Sequence, residues 1–308
     1  MEPFGARLAA AVEARGSQVV VGVDPDPARL WPTSGARAPE ARALLEVAEG
    51  DPRSETAVAV LAHCLELVEA AAPACVAAKP QLAFFEQLGA FGWRALEHVC
   101  AHARANGLIV LADAKRGDIG STARAYAAAY LEPRGDAPPV ADAMTANLYL
   151  GRDSLEPYLA ACRRHGAGLF CLLKTSNEGG ADVQDLVLSD GRPAWHHISG
   201  YVRELGEELV GGRGLSSVGA VVGATHPRAV GEARRLMPQT VFLLPGVGAQ
   251  GGSPADLARA FTSGPASALV SASRSVLYAF RSTDEDWRTA AALEAARLRR
   301  EVWAVAGW

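Results

Sequence analysis

Short apolar runs rich in Val, Leu and Ala recur along the chain, separated by longer stretches with helical periodicity. Eight of them read as strands: Val19–Asp24, Val76–Lys79, Leu108–Ala112, Ala141–Ala146, Leu169–Lys174, Ala220–Gly223, Val241–Pro245 and Ala268–Ser271. They are mostly apolar rather than alternating, the pattern of parallel strands covered on both faces. Between them apolar positions step by three and four, as at Val58, Leu61, Leu65 and Val68, which marks the inward stripe of an amphipathic helix. Leu155–His165, Pro227–Leu236 and Pro254–Phe261 read as further helices, each opening near a Ser, Thr or Pro. One amphipathic helix opens the sequence, and another, about Glu285–Val302, lies near its end. Eight alternating units predict a single (β/α)8 barrel domain over 1–308, with a core of about 17–303, rather than an open doubly wound sheet.

Active sites of such barrels lie at the carboxyl ends of the strands, and polar residues gather at those ends here. Strand one ends at Asp24, strand two at Lys79, and strand three runs into Asp113 and Lys115. Strand five ends in Lys174-Thr175-Ser176-Asn177, strand seven runs into Gly246–Gly252, and strand eight into Ser273-Arg274. Two connections exceed what a barrel needs. Pro25–Arg53 holds five of the eighteen prolines and no strand pattern, whereas Glu178–His197 is polar with turn signals at Gly179-Gly180 and Asp190-Gly191. Long connections on the active face often act as lids, and the second is the better candidate to touch a substrate.

Composition narrows the function classes. A net charge of −4 without a basic block gives nucleic-acid binding little support. Five cysteines without paired spacing read as buried thiols, not as a disulfide or zinc framework. The first helix is charged throughout and lacks the apolar core of a signal peptide. No run approaches the roughly 18 apolar residues of a membrane span, so a soluble, cytoplasmic protein is expected.

Two features carry chemistry. Leu244–Ser253 follows a strand, opens a helix and is rich in glycine, so its N–H groups could converge on an anion. Arg274 adds a guanidinium from the next loop, and the loops after strands seven and eight are the usual phosphate site of this fold. The second feature is Leu111–Thr122, where an apolar run turns into Asp113, Lys115, Arg116 and Asp118 within six residues. A solvated salt-bridge cluster would explain that spacing on its own. Lys79, however, is a lone cation whose available partners are the carboxylates of the neighbouring strand. An alternating Lys79–Asp113–Lys115–Asp118 array would be preorganised to stabilise a developing negative charge, and an ammonium beside it could deliver a proton. The same array would repel a substrate carboxylate until it left as CO2.

With these residues in view, the sequence closely resembles the orotidine 5′-monophosphate decarboxylase family, in its longer bacterial (type 2) subgroup. The motifs are Val21-Gly-Val-Asp24-Pro, Ala78-Lys79-Pro-Gln-Leu-Ala-Phe-Phe-Glu86, Asp113-Ala-Lys-Arg-Gly-Asp-Ile-Gly-Ser-Thr122, Leu150-Gly-Arg-Asp-Ser-Leu155, Lys174-Thr-Ser-Asn177, Val222-Gly-Ala-Thr-His-Pro227 and Pro245-Gly-Val-Gly-Ala-Gln-Gly251. They run in family order from about residue 20 to 280. The resemblance implies that Asp24 and Lys79 bind ribose hydroxyls, that Asp113 sits near the orotate carboxylate, and that Lys115 protonates the C6 carbanion. It implies that Asp118, Ile119 and Thr122 reach the site of a neighbouring subunit, making a homodimer with shared sites. Ser176 and Asn177 would read the pyrimidine edge, and Gln250 and Arg274 would hold the phosphate. The family uses neither metal nor organic cofactor. The seven histidines are scattered, and His196, His197 and His226 lack companion ligands.

Leu148, where a Pro is common, and Ser275, where Gly often follows the Arg, depart from the family pattern. Two other enzyme readings remain. Sugar-phosphate decarboxylases and hexulose-phosphate synthases of the same suprafamily share D-x-K-x-x-D but use magnesium and place an acid where Lys79 stands. A specialised paralogue would act on a related pyrimidine nucleotide.

Overall fold

The protein is described from a computed structural model covering residues 1–31, 34–47, 50–248 and 251–307. Among these residues the strands are β1 (Val19–Val23), β2 (Ala77–Pro80), β3 (Ile109–Arg116), β4 (Ala143–Ala146), β5 (Gly168–Lys174), β6 (Val218–Val222), β7 (Phe242–Pro245) and β8 (Ala268–Ala272). Each pairs in parallel with the next, and β8 returns to β1, closing the barrel. The (β/α)8 expectation holds, and the expected strands differ from the observed ones mainly at their ends.

The uniformly apolar strands are explained by two separate cores. Val20, Ala77, Leu111, Ala143, Phe170 and Leu243 point into the barrel, where they meet Phe4, Leu8 and Val12 of the helix Phe4–Arg15. The alternate residues, among them Val21, Ala78, Val110, Met144 and Val270, face the surrounding helices. Side chains alternate along a strand, so both phases are apolar because both faces are covered. Phe4 meets Phe170 edge to face, with ring centroids 5.9 Å apart. Gly168 is needed there, since a Cβ would stand 2.6 Å from the Phe4 ring.

Helix boundaries follow capping chemistry. Asp51 accepts the Arg53 N–H at the start of Pro52–Ala71, and Asp286 accepts those of Arg288 and Thr289 at the start of Trp287–Ala306. The expected helix Pro254–Phe261 is a 3₁₀ helix. The long connection after β1 holds short 3₁₀ turns and the helix Ala38–Leu45. Its Trp31 is buried, with Nε1 donating to the Leu277 carbonyl at 2.6 Å and the ring against those of His63 and Trp287. Trp31 is therefore packed between the barrel and its outer helices.

Arg234 is buried without a carboxylate partner among the described residues. It donates to the carbonyls of Ala260, Met237, Pro238, Thr240 and Ser267, and its guanidinium lies 3.8 Å from the Phe242 ring centroid. Burial pulls its pKa down to about 9. These bonds tie together the approaches to β7 and β8 at the barrel end opposite the strand-end loops. All five cysteines are buried and unpaired, as expected.

Candidate active site

The charged centre is assembled by β2, β3 and β4. The apolar pattern predicts a third strand ending at Ala112, because charges begin at Asp113. The strand instead continues to Arg116, since its charged side chains find partners at the ends of the neighbouring strands β2 and β4. Asp113 Oδ2 accepts from Lys79 Nζ at 2.7 Å and from Gln81 Nε2 at 3.0 Å. Asp113 Oδ1 accepts from Lys115 Nζ at 2.5 Å and from Thr145 Oγ1 at 3.1 Å. Four donors thus surround one carboxylate. Burial would raise the Asp113 carboxyl, but Lys79 and Lys115 overcome it and hold its pKa at about 2. Burial would likewise lower the Lys79 ammonium, but Asp113 and then Asp24 reverse this and keep it above its ordinary value. The pair is ionised at neutral pH.

Lys115 does not reach this centre by simple strand alternation. Its φ is 46°, in the left-handed region that side chains with a Cβ avoid, and the β3–β4 register breaks between Ala112 and Arg116. Such a conformation costs on the order of 1–2 kcal/mol and persists only where surrounding bonds determine it. It leaves the Lys115 side chain 46% exposed, against 8% for Lys79, so the Lys115 ammonium faces the open cavity.

That cavity has a volume of about 580 Å³. Lys79, Asp113, Lys115, Thr145 and Asn147 form its charged and polar side, while Leu172, Val221, Leu243 and Ile198 form an apolar wall. Ser176 and Asn177 line it from the loop after β5. Val183 and Gln184 also line it, so the polar connection Glu178–His197 contributes to the site. Two contacts tether that connection. Lys174, at the end of β5, pairs with both oxygens of Asp185 at 2.7 Å, and Gln184 exchanges bonds with the Thr175 N–H and hydroxyl. His226 Nε2 lies 3.2 Å from the Thr175 carbonyl oxygen, which gives this histidine a loop-capping position.

The expected array of four is a trio in this chain. Asp118 lies outside the Lys79–Asp113–Lys115 centre, and its Oδ1 accepts from the Ile119 N–H at 2.8 Å. Ile119 and Thr122 are exposed and do not line the cavity. Asp24 follows β1, and its Oδ1 is buried with no hydrogen-bond partner among the described residues. Thr225 Oγ1 after β6 and Ser275 Oγ after β8 are buried and unpartnered in the same sense. Three unsatisfied polar atoms on the strand-end side suit a polar ligand.

The loop after β7 is built on glycines with positive φ, Gly246 at 103°, Gly248 at 78° and Gly251 at 90°. Its Gly248, Gly251 and Gly252 amides bond within the loop, so the expected convergence of free N–H groups is not seen at these three. Gln250, the expected phosphate residue of this loop, lies outside the described residues. A Cβ on Gly248 would stand 3.2 Å from Ser275 Cβ, so the loop abuts the segment carrying Arg274. Arg274 itself is exposed and lines a separate groove with Tyr278 and Arg297 rather than the main cavity. Sequence reasoning gave Thr145 and Asn147 no role. The available signal was Thr145 itself, a polar residue at an inward position of an otherwise apolar strand.

The sequence profile described as the Orotidine 5'-phosphate decarboxylase / HUMPS family matches residues 17–285. The chain belongs to this family. It is 42% identical over 284 residues to the orotidine 5'-phosphate decarboxylase of Rhodopirellula baltica, covering 91% of this chain and 90% of that one. It is 49% identical over 218 residues to the enzyme of the same name from Deinococcus radiodurans, covering 70% and 76%. The solved structure of Leishmania donovani OMP decarboxylase superposes with a TM-score of 0.71 at 30% identity, covering 100% of both chains. The sequence motifs thus sit in a family member whose charged trio occupies the strand ends.

Proposed function

We propose that the protein decarboxylates orotidine 5′-monophosphate to uridine 5′-monophosphate and CO2, without metal or organic cofactor, in the cytoplasmic pathway to pyrimidine nucleotides. The observation that carries this reading is the Asp113 carboxylate, kept ionised by Lys79 and Lys115 beside an apolar wall. A substrate carboxylate bound against Asp113 meets a like charge that protonation cannot relieve. The C6–carboxylate bond breaks, CO2 departs, and the bonding electron pair remains on C6 as a carbanion. In this reading Lys115, which lines the cavity, acts as the ammonium donor. Its field stabilises that pair, and one Nζ proton transfers to C6. The amine left on Lys115 regains a proton from solvent after product leaves.

Asp24, with its unsatisfied Oδ1, and Lys79 take the ribose hydroxyls in this reading, while Ser176 and Asn177 take the pyrimidine edge. Gln250 and Arg274 take the phosphate. The site is completed by a second copy of the chain, whose Asp118, Ile119 and Thr122 enter it. Support comes from the outward placement of these residues and from the exposure of Ile119 at 56%, Tyr149 at 82% and Leu150 at 48% on neighbouring loops. Among the described residues, no helix is long and apolar enough to cross a membrane.

The test is the loss of orotidylate absorbance with purified, EDTA-treated protein. Turnover is expected in EDTA, and Lys115→Ala is expected to abolish it while leaving nucleotide binding largely intact. Turnover that requires added magnesium, or a Lys115→Ala variant near wild-type rate, would overturn the mechanism.

A further inference from the structure

We propose that Thr145 is a positioning residue for the reaction, holding Lys115 and Asp113 in register through one hydroxyl. The role rests on the reading of Lys115 as proton donor. The β3–β4 ladder pairs Ala112 with Met144 and resumes at Arg116 with Ala146. Asp113, Ala114 and Lys115 therefore stand opposite Thr145 alone. A bulge of this kind interrupts the main-chain ladder and re-aims side chains, and Lys115 adopts its left-handed φ within it.

The Thr145 side chain stands in for the interrupted ladder. Its Oγ1 accepts the Lys115 backbone N–H at 2.9 Å and donates its own proton to Asp113 Oδ1 at 3.1 Å. Thr145 is 2% exposed, so water does not readily replace either bond. A hydroxyl has one proton and can donate it once. With that proton committed to Asp113, a lone pair is left for the Lys115 amide, and the two bonds fix the rotor. Lys115 Nζ shares Oδ1 with this hydroxyl. When Lys115 surrenders a proton to carbon, Thr145 keeps that oxygen hydrogen-bonded and keeps the lysine backbone in place. Thr145 thus aims the proton donor without touching the proton.

The test compares Thr145→Val, which keeps shape and removes the hydroxyl, with Thr145→Ser, which keeps the hydroxyl. Hydrogen exchange at the Lys115 amide in the unliganded protein reads the geometry independently of turnover. Thr145→Val is expected to speed that exchange at least tenfold and to lower kcat by about 10- to 100-fold with KM within about twofold. Thr145→Ser is expected to restore both. Wild-type kcat in Thr145→Val, or equal impairment of the two variants, would overturn the proposal, the latter by pointing to packing. Unchanged Lys115 exchange in Thr145→Val would overturn it as well. Lys115→Ala assayed in parallel separates the two levels, because full activity there removes the proton-donor reading, whatever the exchange data show.

Discussion

Lys79 Nζ and Asp113 Oδ2 lie 2.7 Å apart, with both side chains at most 10% exposed. Removing one member of a buried pair strands the other without compensation. Lys79→Met is therefore expected to lower stability by about 3 kcal/mol in urea denaturation, as well as to abolish turnover. A loss below about 1 kcal/mol, the scale of a surface pair, would show that Lys115 alone balances Asp113.

Acid is expected to destabilise the protein in two separate windows. His63 is buried with its pKa pulled down to about 4 by desolvation, and its Nδ1 lies 3.3 Å from the Trp31 backbone N–H, which donates to it. The unfolded chain takes up this proton near the ordinary histidine value and the native state does not. Stability is therefore full above pH about 6.5 and falls by roughly 3 kcal/mol by pH 4. Asp113 is depressed to about 2, so its contribution, roughly 2 kcal/mol, is lost only between pH about 4 and 2. His63→Asn, which cannot titrate, is expected to flatten the upper window alone. Thermal denaturation followed across pH measures both.

Arg274→Ala is expected to raise KM by about 10- to 100-fold at nearly constant kcat, the cost of a charged hydrogen bond remote from the reacting carbon. Inorganic phosphate should weaken in parallel as a competitive inhibitor. Unchanged phosphate inhibition would assign Arg274 to the separate groove it lines rather than to substrate.

Mixing Lys115→Ala with Asp118→Ala chains is expected to recover about a quarter of wild-type activity. A random equal mixture is half hybrid, and each hybrid dimer holds one intact site. No recovery after confirmed subunit exchange would count against the shared site.

Much of the fold was legible because the periodicities are local. Eight apolar runs with helical spacing between them point to a barrel, and the strand ends then locate Asp113 and Lys79. Other features depend on partners distant in sequence. The extension of β3 to Arg116 and the turn at Lys115 rest on Thr145, thirty residues on, and no spacing rule encodes a bulge whose ladder partner is a side chain. Trp31 reads as part of a proline-rich loop, and its burial depends on Leu277, His63 and Trp287. Arg234 resembles any exposed helical arginine until five carbonyls converge on it. The resemblance supplied Asp118 with a role that the geometry of one chain does not give it.

Lys79, Asp113 and Lys115 together carry one positive charge. In the proposed reaction a bound carboxylate cancels it, and departure of neutral CO2 leaves the same negative charge on carbon. Passage of a proton from Lys115 to that carbon relocates charge without altering the sum. From substrate binding to product formation these groups and the reacting carbon thus hold a constant total charge, and no counter-ion need enter or leave while the chemistry runs.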